Sequence, residues 1–479
     1  MLNPAEKVHR GDHVFTDDDQ QRFARMSGDR NPMHMDPTAA RRLLSGRPIV
    51  HGIHVLLSSI ERAGDGDWRD ASVSCSFENP VSVGETVTFL QYEDARGRVV
   101  FDAVVDGVVC TRTVIARRTG PTSETAPAEL LPGDSLQPDD VTPASDGPPE
   151  QFVGKRYSIS PKDERVGESF PTARRRLGAN ALSALAGLSY FVGMVCPGLH
   201  SMLSSIKFDL PARNSAERSL RIVVQKYHSN VRLFDIAFAG PIQGRLQAFR
   251  RHPPQLQPRL GELRSRVDGG EFRGTRSLVV GGSRGLGELT AKLIASGGGD
   301  VVITYQSGQD DARRVGDEIN EVRSGSCEVV PFDILSDSWD RLVNAGQAFD
   351  AIYYFPTPRI FRKTAGVFAP DRFQQFCAFY LTAFVALCTA AEQRATRRVR
   401  VFFPSSIAVA DRPKGLTEYA MAKAAAEILV EDINRSFTHV SVVAARLPRL
   451  NTDQTLTLLD VAAESNVDTM LPIVRSMYR

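Results

Sequence analysis

The sequence predicts a multidomain chain. An α+β unit, a helix wrapped by antiparallel strands, occurs twice and is followed by an α/β unit with a doubly wound parallel sheet. Three observations carry this prediction. Two composition shifts divide the chain, a helix-and-strand pattern recurs across the first of them, and the last part opens with strand, glycine-rich turn, helix and strand. At 479 residues the chain is too long for one ordinary domain, and ~150 residues per domain suggests about three. A hydrophobic fraction of 42% with 24% charged residues is that of a globular protein able to bury several cores. The net charge of +2 gives no support for a nucleic-acid partner. Six scattered cysteines without a CxxC pair read as reduced thiols; the stretch "MLNPAEKVHRGDHVF" has no apolar h-region, and no apolar run of about 18 residues is expected to span a membrane. A cytoplasmic protein with no membrane partner is the expectation.

The elements follow in order. Residues 1–118 hold "HGIHVLLSSIERA", read as a helix, then two alternating stretches, "ASVSCSFENPVSVGETVTFLQYED" and "GRVVFDAVVDGVVCTRTVIARR", read as strands. Residues 119–150 are rich in Pro, Asp, Glu, Ser and Thr without a Lys or Arg, and read as a solvated linker. Residues 151–250 repeat the pattern: "PGLHSMLSSIKFDLP", then the strands of "ERSLRIVVQKYHSNVRLFDIAFAGPIQGRLQAFRR". The match of "HGIHVLLSSI" to "PGLHSMLSSI" predicts a duplicated unit with a helix at both places. Residues 251–273 are a second polar, Pro-containing join, and 274–479 form the last unit.

The copies differ in their polar residues. Before its Gly, the first carries "FARMSGDRNPMHMDP…PIVHG", the second "RRRLGANALSALAGLSYFVGMVCPG". The second has no equivalent of Asp29 or His34, and Pro197 stands where His51 does. Alone, residues 27–37 would fit an ordinary turn; their loss from the second copy means the fold does not require them. A carboxylate and an imidazole five residues apart can share one water, with the His exchanging a proton near neutral pH. Gly52, opening the next helix, offers an N–H where the helix dipole is positive, suited to a carbonyl oxygen gaining charge. Water, acid/base pair and carbonyl polariser are what hydration or dehydration of a thioester needs.

At these residues the sequence resembles the MaoC-like hot-dog family of enoyl-thioester hydratases and dehydratases. The motif stands intact as "SGDRNPMH" and "IVHG", with "ENPVSVGETV" as a strand signature, over roughly residues 8–118. The resemblance implies Asp29 and His34 as the catalytic pair, Asn31 holding the loop and the Gly52 N–H as oxyanion donor. It implies a double hot-dog whose second copy builds part of the acyl tunnel without catalytic residues. His51 and His54 are read as helix-start or packing residues, and His200 and His228 receive no role.

In the last unit the apolar strand 277–280 runs into Gly281, Gly285 and Gly287, then a helix and another apolar strand. Such glycines allow a tight turn and close approach of backbone to a pyrophosphate at a helix N-terminus. No acid ends the second strand at "VVITYQSG", and Arg284 offers a cation for a 2′-phosphate, so NADP(H) is expected over NAD(H). Downstream, Tyr419 and Lys423 share a helix face, where the ammonium is expected to lower the phenol's pKa.

This block resembles the short-chain dehydrogenase/reductase family over about residues 274–455, giving a Rossmann sheet. The resemblance implies Ser406 as substrate-orienting hydroxyl, Tyr419 as general acid and Lys423 on the nicotinamide ribose. Gly281, Ser283, Arg284, Gly285, Leu286, Gly287, Asp333 and Thr452 complete the cofactor set. Three departures stand out: Val280 replaces the usual Thr, "YYFPTP" replaces Asn-Ala-Gly, and Tyr380 stands for the tetrad Asn.

The whole reads as a ketoreductase/dehydratase acting on β-ketoacyl and 3-hydroxyacyl thioesters of CoA or acyl carrier protein, in fatty-acid-like or polyketide-like biosynthesis. Two alternatives stay open. The same pair can run oxidatively as hydratase and 3-hydroxyacyl dehydrogenase, or the last unit can bind NADP(H) without turnover. No metal-ligand spacing is visible, and homo-oligomerisation stays open.

Overall fold

The computed structural model describes residues 6–64, 68, 70–118, 131–138, 142–160, 166–211, 215–343, 348–361, 365–457 and 461–479. The chain divides near residue 253 into two compact units.

The first unit is one sheet that, among the described residues, has eleven strands. β1 (Val8–Val14), β2 (Ala71–Phe77), β3 (Thr86–Glu93), β4 (Val99–Val105) and β5 (Val108–Arg117) lie in the order β1-β3-β4-β5-β2. The second half holds β6 (Asp134–Leu136), β7 (Arg156–Ile159), β8 (Ser201–Asp209), β9 (Leu220–His228), β10 (Leu233–Ala239) and β11 (Gln243–Arg250), in the order β8-β11-β10-β9-β7-β6. Each strand of the first copy has a counterpart at the mirrored place: β2 with β8, β5 with β11, β4 with β10, β3 with β9, β1 with β7. The two halves join antiparallel through β2 and β8, with Cys75 opposite Ile206. The duplication is therefore real in topology.

The residue match that suggested it was wrong. In the first copy Gly52–Glu61 is a helix that buries Ile53, Leu56, Leu57 and Ile60, one face at helical spacing. In the second copy "SMLSSIKFD" is strand β8, with Ile206 and Phe208 buried and Lys207 exposed at period two. The central helix of that copy lies upstream, at Ala179–Tyr190, and runs on into a π-helical turn at Phe191–Val195. The shared letters "LSSI" thus sit on non-equivalent elements, and Pro197 is no counterpart of His51.

Both expected linkers are partly structured. Residues 119–130 and 139–141 lie outside the described residues. The remainder packs: β6 pairs in parallel with β7, and Ser145 bonds the Met194 carbonyl through its N–H and the Leu199 N–H through its carbonyl. Residues 251–273 are no free join either, since Leu260, Leu263, Val267 and Phe272 are buried in the core of the second unit.

That unit is a parallel six-stranded sheet. β12 (Arg276–Val280), β13 (Asp300–Tyr305), β14 (Cys327–Pro331), β15 (Ala351–Tyr354), β16 (Val399–Ser406) and β17 (Val440–Leu447) lie in the order β14-β13-β12-β15-β16-β17. The order reverses between β12 and β15, so a ligand crevice opens at their carboxyl ends. One correction concerns residues 370–394. Pro370–Arg394 is long and apolar enough to cross a membrane by length and composition. Here Phe376, Tyr380, Phe384, Leu387 and Cys388 lie in the core of this unit instead.

Candidate functional sites

The first site begins where the Asp17–Ser27 helix stops. Thr16 and Asp19 form a capping box at its start, and Gly28 ends it at φ 81°, a left-handed position that favours glycine. The turn drops Asp29 into the interior, 2% exposed. Its Oδ1 accepts the Asn31 N–H at 3.2 Å and its Oδ2 accepts the Ser189 hydroxyl at 2.8 Å. The Asn31 carboxamide caps the Pro32–Met35 turn at Met33 N (3.0 Å) and donates to the Gly193 and Gly198 carbonyls at 2.7 and 3.0 Å. Asn31 therefore pins the loop to the second copy.

His34 leaves that turn with Nδ1 against the Ile49 carbonyl at 2.6 Å. A carbonyl can only accept, so Nδ1 carries the proton and Nε2 keeps a free lone pair. His51 donates from Nε2 to the Asp29 carbonyl at 3.0 Å and stacks on His34, centroids 3.9 Å apart at 26°. Ligand atoms of Asp29, His34 and His51 all lie within 4.8 Å of one another, a cluster that could also hold a metal ion and that sequence spacing did not reveal. With one nitrogen of each imidazole spent on a carbonyl, the arrangement is suited to proton transfer. Burial pushes the Asp29 carboxyl up, against the pull of His34 and Ser189, and pushes His34 down, against the pull of Asp29. Both shifts favour the neutral pair. His54 is pushed down to about 3 by burial and stacks on Phe23, a packing role.

Gly52 is the first residue of its helix, so its N–H has no intrahelical partner. A side chain there would reach 3.0 Å from the Phe77 ring. Two residues that the sequence reading passed over matter here. Ser189, from the second copy, is a buried polar position in a helix that also carries Asn180 and Ser183, so nothing in the sequence set it apart. A Cβ at Gly193 would sit 2.2 Å from Asp29 Oδ1, and nothing in the sequence marked that glycine. The second copy does contribute to this site. His200 pairs with Asp146 at 3.3 Å and His228 with Asp235 at 2.6 Å, away from the Asp29 carboxylate's partners.

The second site lies at the sheet's switch point, around a cavity of about 550 Å³. Gly281 and Gly285 adopt φ 79° and 58°, and a Cβ at Gly287 would lie 2.2 Å from the Gly281 carbonyl oxygen. Gly281 N–H donates to Thr304 Oγ1 at 3.1 Å, and the Gly285–Ser296 helix begins directly behind the loop. Ser283, Arg284, Leu286, Ser406, Tyr419, Lys423 and Thr452 all line the cavity. Asp333 does not line it; its carboxylate accepts from Leu335 N–H and from Gln306 at 3.0 Å each. Arg284 is not an unengaged cation, since its Nη1 meets the buried Asp453 at 3.4 Å.

Ser406 lies next to Tyr419, and its hydroxyl favours the ionised phenol. Lys423 Nζ donates to the Pro404 carbonyl at 2.6 Å. The expectation that Lys423 lowers the Tyr419 pKa does not hold. Burial raises the Tyr419 phenol, with Ser406 opposing, and burial lowers Lys423 to about 7. The ammonium lies 5.9 Å from the Tyr419 ring centroid, where desolvation of both groups outweighs their attraction. Tyr380 occupies a π-helical turn at Ala378–Thr382 and is fully buried, its hydroxyl bonded to Thr357 of the "YYFPTP" segment.

The comparisons with known proteins fall on these same two sites. A MaoC like domain matches residues 3–109, and a short chain dehydrogenase matches residues 276–460. The chain thus carries a MaoC-like dehydratase domain and a short-chain dehydrogenase domain. It is 35% identical over 98 residues to 3-hydroxyacyl-thioester dehydratase Y of Mycobacterium tuberculosis, a match covering 19% of this chain and 34% of that protein. It is 32% identical over 102 residues to the peroxisomal hydratase-dehydrogenase-epimerase of Saccharomyces cerevisiae, covering 21% of this chain and 11% of that one. The chain therefore spans about a third of the one relative and a tenth of the other. Among solved structures, a short chain dehydrogenase from Burkholderia cenocepacia in complex with NADP is 21% identical (TM-score 0.38, 43% of this chain, 91% of that one). A putative short chain dehydrogenase from Escherichia coli complexed with NADPH is 17% identical (TM-score 0.38, 44% and 93%). The fold assignment rests on the sheet order itself.

Proposed function

We propose that the chain is a bifunctional 3-oxoacyl-thioester reductase and 3-hydroxyacyl-thioester dehydratase. The observation that carries this reading is the pairing, in one chain, of a buried Asp29–His34 dyad with a Ser406–Tyr419–Lys423 set on a glycine-walled cavity. In the dehydration direction, His34 Nε2 takes the C2 proton while protonated Asp29 gives its proton to the departing C3 hydroxyl. The products are an enoyl thioester and water. The directions of the two pKa shifts support this assignment of acid and base. The Gly52 N–H receives the charge that gathers on the thioester oxygen. In the reductase unit, a dinucleotide fits the Gly281–Gly287 cradle, whose close backbone approach a side chain would fill. When bound, NADPH supplies the hydride. Tyr419 protonates the carbonyl oxygen, Ser406 holds that oxygen, and Lys423 binds the ribose. We take NADPH over NADH because no acid follows β13, with Arg284 shared between Asp453 and the 2′-phosphate. The acyl group rides on CoA or a carrier protein.

Joining the two sites raises the effective concentration of the shared 3-hydroxyacyl intermediate. A second reading, in which the C-terminal unit binds nucleotide without turnover, is favoured by Tyr380 standing where the family has Asn. One spectrophotometric experiment separates the two: a short β-ketoacyl-CoA with NADPH, following cofactor loss and enoyl-thioester formation together. Loss of both signals' coupling is the discriminating result. Coupled turnover that Tyr419→Phe abolishes, with crotonyl-CoA hydration retained, supports the bifunctional reading. Hydration without NADPH consumption overturns it in favour of the second.

A further inference from the structure

Lys423 sits in an unusual seat. Its ammonium lies in a wall where the residue is 4% exposed, and the oxygen that receives it is the Pro404 carbonyl at 2.6 Å. The rest of its near surroundings is aromatic. The Tyr380 ring centroid is 3.7 Å from Nζ and the Phe403 centroid 4.5 Å. At 3.7 Å an ammonium is in face contact with a ring, and a cation–π attraction is strongest where both partners are desolvated. The ring cannot swing away. The π-helical turn at Ala378–Thr382 sets its backbone, the Thr357 hydroxyl holds its far end, and Phe376 stacks on it with centroids 5.7 Å apart.

We infer that Tyr380 is a positioning residue for Lys423: the face of its ring, together with the Pro404 carbonyl's hydrogen bond, helps seat the ammonium at the wall of the cofactor cavity. The inference rests on the reading of Lys423 as the ribose-binding residue only for its functional consequence; the seat itself is a matter of geometry. Among the described residues, the charged and titratable groups around Lys423 are these. Tyr419 and Glu427 lie one turn away on either side along the same helix, and Tyr380 faces it from the neighbouring helix. From the sheet, Arg446 of β17 binds Glu427 at 2.6 Å and Ser405 of β16 also bonds it, so part of the Glu427 charge is engaged by those partners. The ring face acts on the ammonium alongside the Pro404 carbonyl, the Phe403 ring and the Glu427 charge, and like them it opposes the burial that holds Lys423 near 7.

A substitution that empties the site would admit water and confuse the result, so the test keeps the ring and changes its electrons. In the full chain, position 380 is made Tyr380→Phe, and then 3,5-difluoro- and 3,4,5-trifluorophenylalanine. The ionisation of Lys423 is followed by the 13C shift of its ε-carbon in lysine-labelled protein, assigned with Lys423→Arg. The expected result is a midpoint that barely moves in Tyr380→Phe and then falls stepwise with fluorination. The acid dissociation constant should rise by about tenfold across the series, the scale of a desolvated cation–π contact. A merely structural ring would give superimposable titrations, and that result overturns the proposal. So does a shift already complete in Tyr380→Phe, which would assign the seat to the Thr357-bonded hydroxyl. Because the titration needs no turnover, failure of NADPH oxidation in the unsubstituted protein would count against the reductase reading and leave this measurement standing.

Discussion

Ser189→Ala removes one hydroxyl from the second copy and tests how the first copy's acid is held. Ser189 Oγ donates to Asp29 Oδ2 at 2.8 Å, and Asp29 is 2% exposed, so no bulk water replaces the lost donor. A hydrogen bond to a charged group contributes about 1.5–3 kcal/mol, and its loss falls on the carboxylate and not on the protonated acid. At 1.36 kcal/mol per pKa unit, that is a rise of roughly one to two units in an acid already pushed up by burial. The hydration direction begins from the ionised pair, Asp29 carboxylate with His34 imidazolium, so the same energy appears as a fall of about 10- to 100-fold in kcat/KM. The Haldane relation carries an equal fall into dehydration. The alkaline limb of the kcat/KM profile should move upward, because losing the remaining proton from the neutral pair leaves Asp29 as a carboxylate that Ser189 no longer supports. The assay is crotonyl-CoA hydration across pH 5–9, with circular dichroism to check folding. A folded Ser189→Ala protein with unchanged kcat/KM and an unmoved alkaline limb would refute the assignment of Asp29 as a Ser189-tuned acid.

Gly193→Ala should abolish hydration by more than about 100-fold while NADPH binding persists, since the added Cβ would lie 2.2 Å from Asp29 Oδ1 and must displace the catalytic carboxylate; crotonyl-CoA turnover and a fluorescence titration with NADPH check both halves. Asp453→Asn should weaken the ionic hold on Arg284, now 3.4 Å from that carboxylate, and tighten NADPH several-fold with little effect on NADH; equal gains for both cofactors would remove Arg284 from the 2′-phosphate. Lys423→Met should stabilise the chain at pH 7 by up to about 4 kcal/mol and flatten its pH dependence. The folded-state pKa is depressed to about 7 from 10.5, so the unfolded chain binds more protons between these values and wild-type stability climbs as pH rises through that window. Denaturant unfolding of both proteins between pH 7 and 10.5 reads the difference in slope.

What the sequence made legible was whatever the backbone must do locally. The glycine loop at 281–287 required close approach, the Asn31-Pro32 pair required a turn, and period-two alternation in β2 and β9–β11 required a half-buried sheet. Each of those demands is written in neighbouring residues. The contacts that failed to show are between positions far apart in the chain. Ser189 reaches Asp29 across 160 residues, Gly193 clears space for it, and Asp453 meets Arg284 across 169. Spacing arguments have no access to such pairs. The same limit explains why the Tyr419–Lys423 expectation failed: helical spacing correctly put both on one face, but burial, a property of the folded wall, decided their ionisation.

The misaligned repeat is the more instructive case. "LSSI" is compatible with a helix when apolar residues flank it at three and four positions, and with a strand when Lys207 and Phe208 follow in alternation, so identical letters took different structures. Realigning on the sheet order pairs the Gly52–Glu61 helix with Ala179–Tyr190, and that correction changes the meaning of the second copy. Its helix is nearly all apolar, yet it keeps Ser189 one turn before the Gly193 that leaves room for Asp29. Asn31, in turn, spends its amide on the carbonyls of Gly193 and Gly198. A copy that had become only a packing partner would have no reason to place a hydroxyl and a glycine against the other copy's acid and two carbonyls against its Asn31. The dyad is therefore a property of the pair of copies, and a first copy expressed by itself should fold its loop without the contacts that fix Asp29.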